Sequence, residues 1–174
     1  MIYSKGLYTM KNEIRNELNL QINREMQSAY NYLGIATWCS EKGYPGSAHW
    51  FSLQAKEEME HALKIYKYLL DRGETPTLES VGKPKAAFED LRSTFEAALE
   101  QEREVENFLN AISVKAAEAK DHVTLNFLAW FLEEQVEEVA SVQTILDQLS
   151  LAKDSLFLVD QELGKRTETE SAGN

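Results

Sequence analysis

The chain is poor in residues that break helices and in those that staple small folds. Its 174 residues include only 3 prolines and 8 glycines, so long uninterrupted helices are permitted. The single cysteine, Cys39, excludes an internal disulfide framework and points to a reducing compartment, the cytoplasm. Nothing near Cys39 would activate a thiol, so it reads as a small core or helix-end residue. Positive charge is scarce as well. The 18 Lys and Arg stand against 29 Asp and Glu, for a formal net charge of -11. That balance argues against nucleic acid and anionic membranes as partners and favours cations. No stretch of about 20 apolar residues occurs, and Met1 to Lys11 lacks the continuous apolar segment of a secretion signal.

The composition that remains is that of a soluble globular protein, with 43% hydrophobic and 27% charged residues, enough apolar side chains for one well-buried core. The expected organisation is one domain over residues 1–163 and a polar tail over 164–174, too low in hydrophobics to fold on its own.

Periodicity makes the chain all-α. A first helix from about Met10 to Ser40 carries Ile14, Leu18, Ile22, Glu25, Ala29, Tyr32 and Ala36 in steps of three and four, as one face requires. Gly43 is placed to end it, and Pro45 stands near the start of the next. The second helix runs to about Arg72 with Phe51, Glu58, His61, Ile65 and Leu69 on one side, and Gly73 ends it. Residues 74–87 have no helical period and contain Pro76 and Pro84. A link of this length can cross a bundle from end to end, so that the second and third helices run parallel. The third helix is expected from about Phe88, with Leu91, Phe95, Ala98, Glu102, Val105, Leu109, Ile112 and Ala116. Asp121 is a reasonable N-cap for a fourth helix bearing Leu128, Phe131, Gln135, Glu138, Val142, Ile145 and Leu149. A short fifth helix fits between Asp154 and about Leu163.

Each long helix thus carries acid or amide side chains inside its own apolar stripe: Glu25, then Glu58 and His61, then Glu102, then Gln135 and Glu138. A carboxylate facing an apolar core is costly unless a cation meets it. Arg24 and Arg103 adjoin Glu25 and Glu102 in sequence, but one residue on a helix turns about 100° away from the face. Without a cation the acids would take up protons or unfold the bundle. Two divalent ions balance four carboxylates. Glu58-Met59-Glu60-His61 places a carboxylate and an imidazole on one helix face. Alone, such a Glu-x-x-His is weak evidence, since exposed acidic helices produce it by chance, but its register with Phe51 and Ile65 points it inward. Hard oxygen ligands with one imidazole suit iron, whereas structural zinc wants more sulfur or nitrogen and calcium an all-oxygen cage. A di-iron carboxylate bundle has a Glu from each of two helices and a Glu-x-x-His from each of the others. Here the fourth helix departs, with Gln135 and Glu138 and no histidine, which should leave the second metal position weaker and more labile.

Over about residues 10–163 the chain resembles the ferritins, specifically the haem-free prokaryotic kind. The resemblance rests on Asn23-Arg24-Glu25 with Tyr30 and Tyr32, Ala48-His49-Trp50, Glu57-Glu58-Met59-Glu60-His61, Asn126-Phe127-Leu128-Ala129-Trp130 and Glu134-Gln135-Val136-Glu137-Glu138. It implies a ferritin-like four-helix bundle with a long crossover and a short fifth helix, assembling into a 24-subunit shell. It also implies ferroxidase activity, in which Fe(II) is oxidised with O2 or peroxide and deposited as ferric mineral for storage and detoxification. Glu25, Glu58 and His61 would hold the first iron. Glu58 would bridge to a second iron held by Glu102 and Glu138, with Gln135 beside it, and Tyr32 would hydrogen-bond to the site and supply an electron. Glu57, Glu134, Glu137 and Glu138 match a third iron position, although acids of this kind also form ordinary solvated faces. No haem is implied, because the methionine context of bacterioferritins is missing. Leu125 and Leu128 occupy places where animal ferritins line an iron channel with acids. Trp38, Trp50 and Trp130 read as packing residues and His49 and His122 as surface residues. Two other readings stay open: a di-iron oxidoreductase or peroxidase that stores no mineral, and a structural bundle whose acids only form surface pairs.

Overall fold

The helical periods become five helices: α1 Asn12–Glu41, α2 Pro45–Asp71, α3 Leu91–Glu118, α4 His122–Ala152 and α5 Leu156–Leu163. The structure is a computed structural model, and it describes residues 10–153 and 155–167. Local chemistry sets the helix ends. Gly43 and Gly73 follow α1 and α2 at φ +83° and +75°, backbone that glycine adopts without a Cβ penalty. Pro45 opens α2 in its first turn. Asp121 caps α4 by accepting from the Thr124 N–H at 3.1 Å. The third helix begins at Leu91 and not near Phe88, because Asp90 and Ser93 form a reciprocal capping box that fixes the first turn. The fifth begins at Leu156, and Asp154, where it was expected to start, lies outside the described residues.

Cross-helix partners give the directions. Asn31 bonds Gln101 and Lys115 bonds Glu17, so α1 is antiparallel to α3. Tyr32 stacks on Phe51 while Arg15 meets Glu74, so α1 is antiparallel to α2 as well. The second and third helices therefore run parallel, as the long connection requires. That connection is pinned along α1 by a row of amides spaced four residues apart. Asn19 accepts from the Thr77 N–H, Asn23 both donates to the Glu79 carbonyl and accepts from its N–H, and Gln27 does the same for Gly82. Side chains thus satisfy backbone groups that no regular structure would.

The apolar core is divided in two. One cluster gathers Tyr32, Trp38, Trp50, Phe51, Phe95, Val142 and Leu149 with Val159 and Leu163 of α5. The other gathers Ile14, Leu18, Ile22, Ile65, Leu109, Leu128 and Phe131. Buried Glu25, Glu58, Glu102 and Gln135 lie between them in the helix stripes. Leu128 is fully enclosed in the second cluster, and Leu125 is half-buried.

The short fifth helix is locked to the bundle by Asp160. Its carboxylate accepts from the Gly46 and Ser47 N–H groups at 3.1 and 2.7 Å and from the Ser47 hydroxyl at 2.7 Å. It thereby caps the start of α2 from another element. Gly46 is glycine because a Cβ there would sit 1.7 Å from the Asp160 carbonyl oxygen. Gly164 to Thr167, assigned by composition to the tail, are described, and Arg166 pairs with Glu57. The rest of the tail, 168–174, lies outside the described residues. No described helix is long and apolar enough to cross a membrane.

Candidate metal centre

Every residue singled out in the four stripes faces the layer between the two apolar clusters. Glu25 and Glu102 are each 1% exposed and Glu58 is 2% exposed, with Tyr32, His61, Gln135, Glu138 and Glu57 also buried. Glu134 is half-buried and Glu137 exposed. The acids predicted for the first two metal positions are therefore collected in the interior, and those of the third only in part.

Glu25, Glu58 and His61 each offer one ligand atom, all within 4.8 Å of one another. His61 Nδ1 lies 3.8 Å from a Glu58 oxygen. Buried Glu25 Oε2 and Glu58 Oε2 have no hydrogen-bond partner among the described residues. Such orphaned anionic oxygens are expensive, and a cation between them removes the cost.

Around this group, buried amides hold the carboxylates in place. Gln21 donates to Glu25 at 2.8 Å, Gln54 to Glu138 at 2.7 Å, and Gln135 to Glu102 at 2.6 Å. Tyr32 donates its hydroxyl to the other Glu102 oxygen. Gln135 thus orients Glu102 through its amide nitrogen and also bonds that residue's carbonyl at 3.0 Å. Glu58 has no such amide. Its carboxyl is pushed well above the ordinary range by burial first, then by Glu102, Glu25 and Glu138. Three other site carboxyls thus act on Glu58 at once.

The same physics acts on the others. Burial pushes Glu102 up to about 7, against the hydrogen bonds from Tyr32 and Gln135. Burial, with Glu102 and Glu57, pushes Glu138 up to about 8. Tyr32 is driven well above its ordinary value by burial and by Glu102, so it stays a protonated donor. Arg24 makes no direct ion pair with Glu25. It lies 3.6 Å over the Phe108 ring and 3.8 Å from Glu17, and donates to Gln21 at 3.2 Å.

Sequence reasoning missed Gln21 and Gln54, although each stands four residues before a site acid, Glu25 and Glu58, on the same helix face. Arg166 was missed for a different reason: it comes from beyond α5. Trp38 and Trp50 pack in the core. Trp130 lies beside His61, ring centres 5.5 Å apart, under the Lys64 ammonium. His49 and His122 are exposed, His49 meeting the Arg166 carbonyl at 2.9 Å.

Comparison with known proteins identifies the family of the fold. The ferritin-like domain family matches residues 15–152. A bacterial non-heme ferritin of Staphylococcus saprophyticus is 39% identical over 165 residues, covering 93% of this chain and 99% of that protein. One from Staphylococcus aureus is 41% identical over 153 residues, covering 86% and 92%. The crystal structure of an open-pore ferritin from the archaeon Archaeoglobus fulgidus superposes with a TM-score of 0.89 at 34% identity, over 91% of this chain and 99% of that one. With five helices in this order and a carboxylate layer between two halves of the core, the chain belongs to the ferritin family, among its haem-free prokaryotic members.

Proposed function

We propose that this protein stores and detoxifies iron, oxidising Fe(II) with O2 in the carboxylate layer and depositing the ferric product inside a shell of its own copies. The observation that carries the reading is the pair of buried oxygens on Glu25 and Glu58 without a hydrogen-bond partner, set among the buried acids Glu102 and Glu138.

Iron is here the substrate. Glu25, Glu58 and His61 hold the first Fe(II), and Glu58 reaches across to a second held by Glu102 and Glu138. Gln135 and Tyr32 keep Glu102 aimed. Each Fe(II) gives one electron, so two together reduce O2 by two electrons to the level of peroxide. Anionic oxygen ligands stabilise Fe(III) over Fe(II), which favours the oxidation, and two metals in one site let both electrons leave together. The second position has an amide where a fourth-helix histidine could stand, so it binds more weakly and lets the ferric product move on. Tyr32, touching Glu102, is placed to give a further electron. Glu57, Glu134, Glu137 and Glu138 are the acids that the family resemblance assigns to a third position.

Assembly is supported by apolar surface that the single chain leaves open. Leu151, Phe157 and Leu158 around α5 are 83%, 67% and 64% exposed, apolar side chains that a neighbouring copy would cover. A 24-subunit cytoplasmic shell fits that surface and the family, and electron microscopy of the particles checks it. A di-iron oxidoreductase without mineral fits less well, since Gln135 weakens the permanent second site it would need.

Aerobic Fe(II) titration of the iron-free protein tests the reading. A soluble rust-coloured product carrying far more iron than the centre can hold is expected. Saturation at two or three irons per subunit would reject storage. Glu102→Ala should abolish the fast O2-dependent phase, and an unchanged rate would sink the site assignment.

A further inference from the structure

Arg166 lies beyond α5, outside the four stripes that build the centre, yet its guanidinium reaches the carboxylate layer. Nη2 stands 3.0 and 2.9 Å from the two oxygens of Glu57, and Nη1 donates to Gln54 Oε1. Gln54 passes the constraint on, donating its own amide to Glu138. The guanidinium also lies 5.1 Å from the centre of the Trp50 ring, and the side chain is only 17% exposed. Its delivery is built into the fold. Asp160 locks α5 to the start of α2 at Gly46 and Ser47, and Arg166 follows α5 by a single turn.

A guanidinium in contact with both oxygens of a carboxylate, and partly desolvated, satisfies that anion as a metal ion would. A divalent ion at Glu57 would have to displace Arg166 and then bear its repulsion nearby. Of the four acids at the third position, Glu57 is held directly and Glu138 through Gln54. Glu134 and Glu137, left over, are half-buried and exposed.

We propose that Arg166 is a positioning residue of the iron centre whose own charge stands in place of a third metal ion, holding Glu57 out of coordination and steering Glu138, through Gln54, toward the second iron. The centre then takes two metal ions per subunit, although its acids alone would offer three places. This rests on the two-iron reading of Glu25, Glu58, His61, Glu102 and Glu138.

Anaerobic titration of the assembled, iron-free protein with Co(II), followed by calorimetry and the visible spectrum, reads the number of tightly bound ions and their coordination. Wild type is expected to take two per subunit. Arg166→Gln should take three, with the second ion held several-fold more weakly. Arg166→Lys keeps the charge but not the fork, so it should stay at two while still loosening the second ion. Equal numbers of tight ions in wild type and Arg166→Gln, whether two or three, overturn the proposal. Anomalous scattering from wild-type crystals soaked in Co(II) needs no variant: two peaks per subunit are expected, and a third beside Glu57 overturns it. Glu58→Gln tests the reading beneath. If it leaves the two-ion count intact, the centre itself is misplaced, whatever Arg166 does.

Discussion

Raising the pH from about 5.5 to 8 should destabilise the iron-free protein, and Glu102 and Glu138 should carry a large share of the loss. Burial holds these carboxyls at about 7 and about 8, whereas unfolded glutamate titrates near ~4.3. Since both folded values lie above the unfolded one, the folded chain keeps protons that the unfolded chain has released. Stability from this source is complete below the unfolded pKa and disappears as pH climbs through the folded values. Integrated over that window, the loss is on the order of 5 kcal/mol for the two groups together, a large part of a typical folding free energy. Glu58 acts in the same direction. Asp121 does not offset it. Despite burial, Arg72 and Thr124 hold its carboxyl below the ordinary value, so its contribution is already complete at the acid end. The assay is urea unfolding followed by tryptophan fluorescence at several pH values. The wild-type midpoint should fall steadily, and the Glu102→Gln/Glu138→Gln double variant should fall clearly less, keeping only the slope that Glu58 contributes. Zn(II), which competes with the protons, should restore the wild type at pH 8. A wild-type midpoint that holds or rises, or a double variant with the same slope, would refute the reasoning.

Other perturbations follow from single contacts. His61→Ala removes the only imidazole among the candidate ligands and should slow initial Fe(II) oxidation by on the order of 100-fold, read by stopped-flow absorbance. Gly46→Ala drives a methyl into the Asp160 carbonyl. The resulting strain should cost about 1–3 kcal/mol, lower the melting temperature and expose α5 to protease. Asn23→Ala strips both hydrogen bonds from Glu79. It should cost about 1 kcal/mol and speed amide exchange in the connection far more than in the helices. Burial pushes the Cys39 thiol up to about 12, so a disulfide reagent at pH 8 should react only as fast as the protein unfolds, and rapid labelling of the native particle would contradict that.

What was legible in the sequence was whatever a helical period can carry. All seven positions of the first stripe and all eight of the third are buried, and the acids within them turned inward because the period left them no other direction. Leu128 makes the same point: the period puts it in the apolar stripe of its helix, and it is fully buried there. The start of α3 was misjudged because Phe88 is apolar and in step, while the side chains of Asp90 and Ser93 decide the first turn. Gln21 and Gln54 were readable by the same spacing rule but look like ordinary polar residues until their carboxylate partners are known. Arg166 was not readable. Its contact with Glu57 spans 109 residues and depends on where α5 docks, which no local pattern encodes.

The long connection decides which helices the candidate ligands share. Because it returns the chain to the end where α1 finishes, the bundle consists of two hairpins, α1 on α2 and α3 on α4. Glu25, Glu58 and His61 belong to the first, and Glu102, Gln135 and Glu138 to the second. The boundary between the hairpins therefore runs through the centre, spanned by Tyr32 on Glu102 and Gln54 on Glu138. On the proposed two-iron reading, the distance between the ions would be set by a joint between two arms and not by the reach of any one chelating group. A slight parting of the arms would then load the Glu58 carboxylate before the ligands on either side.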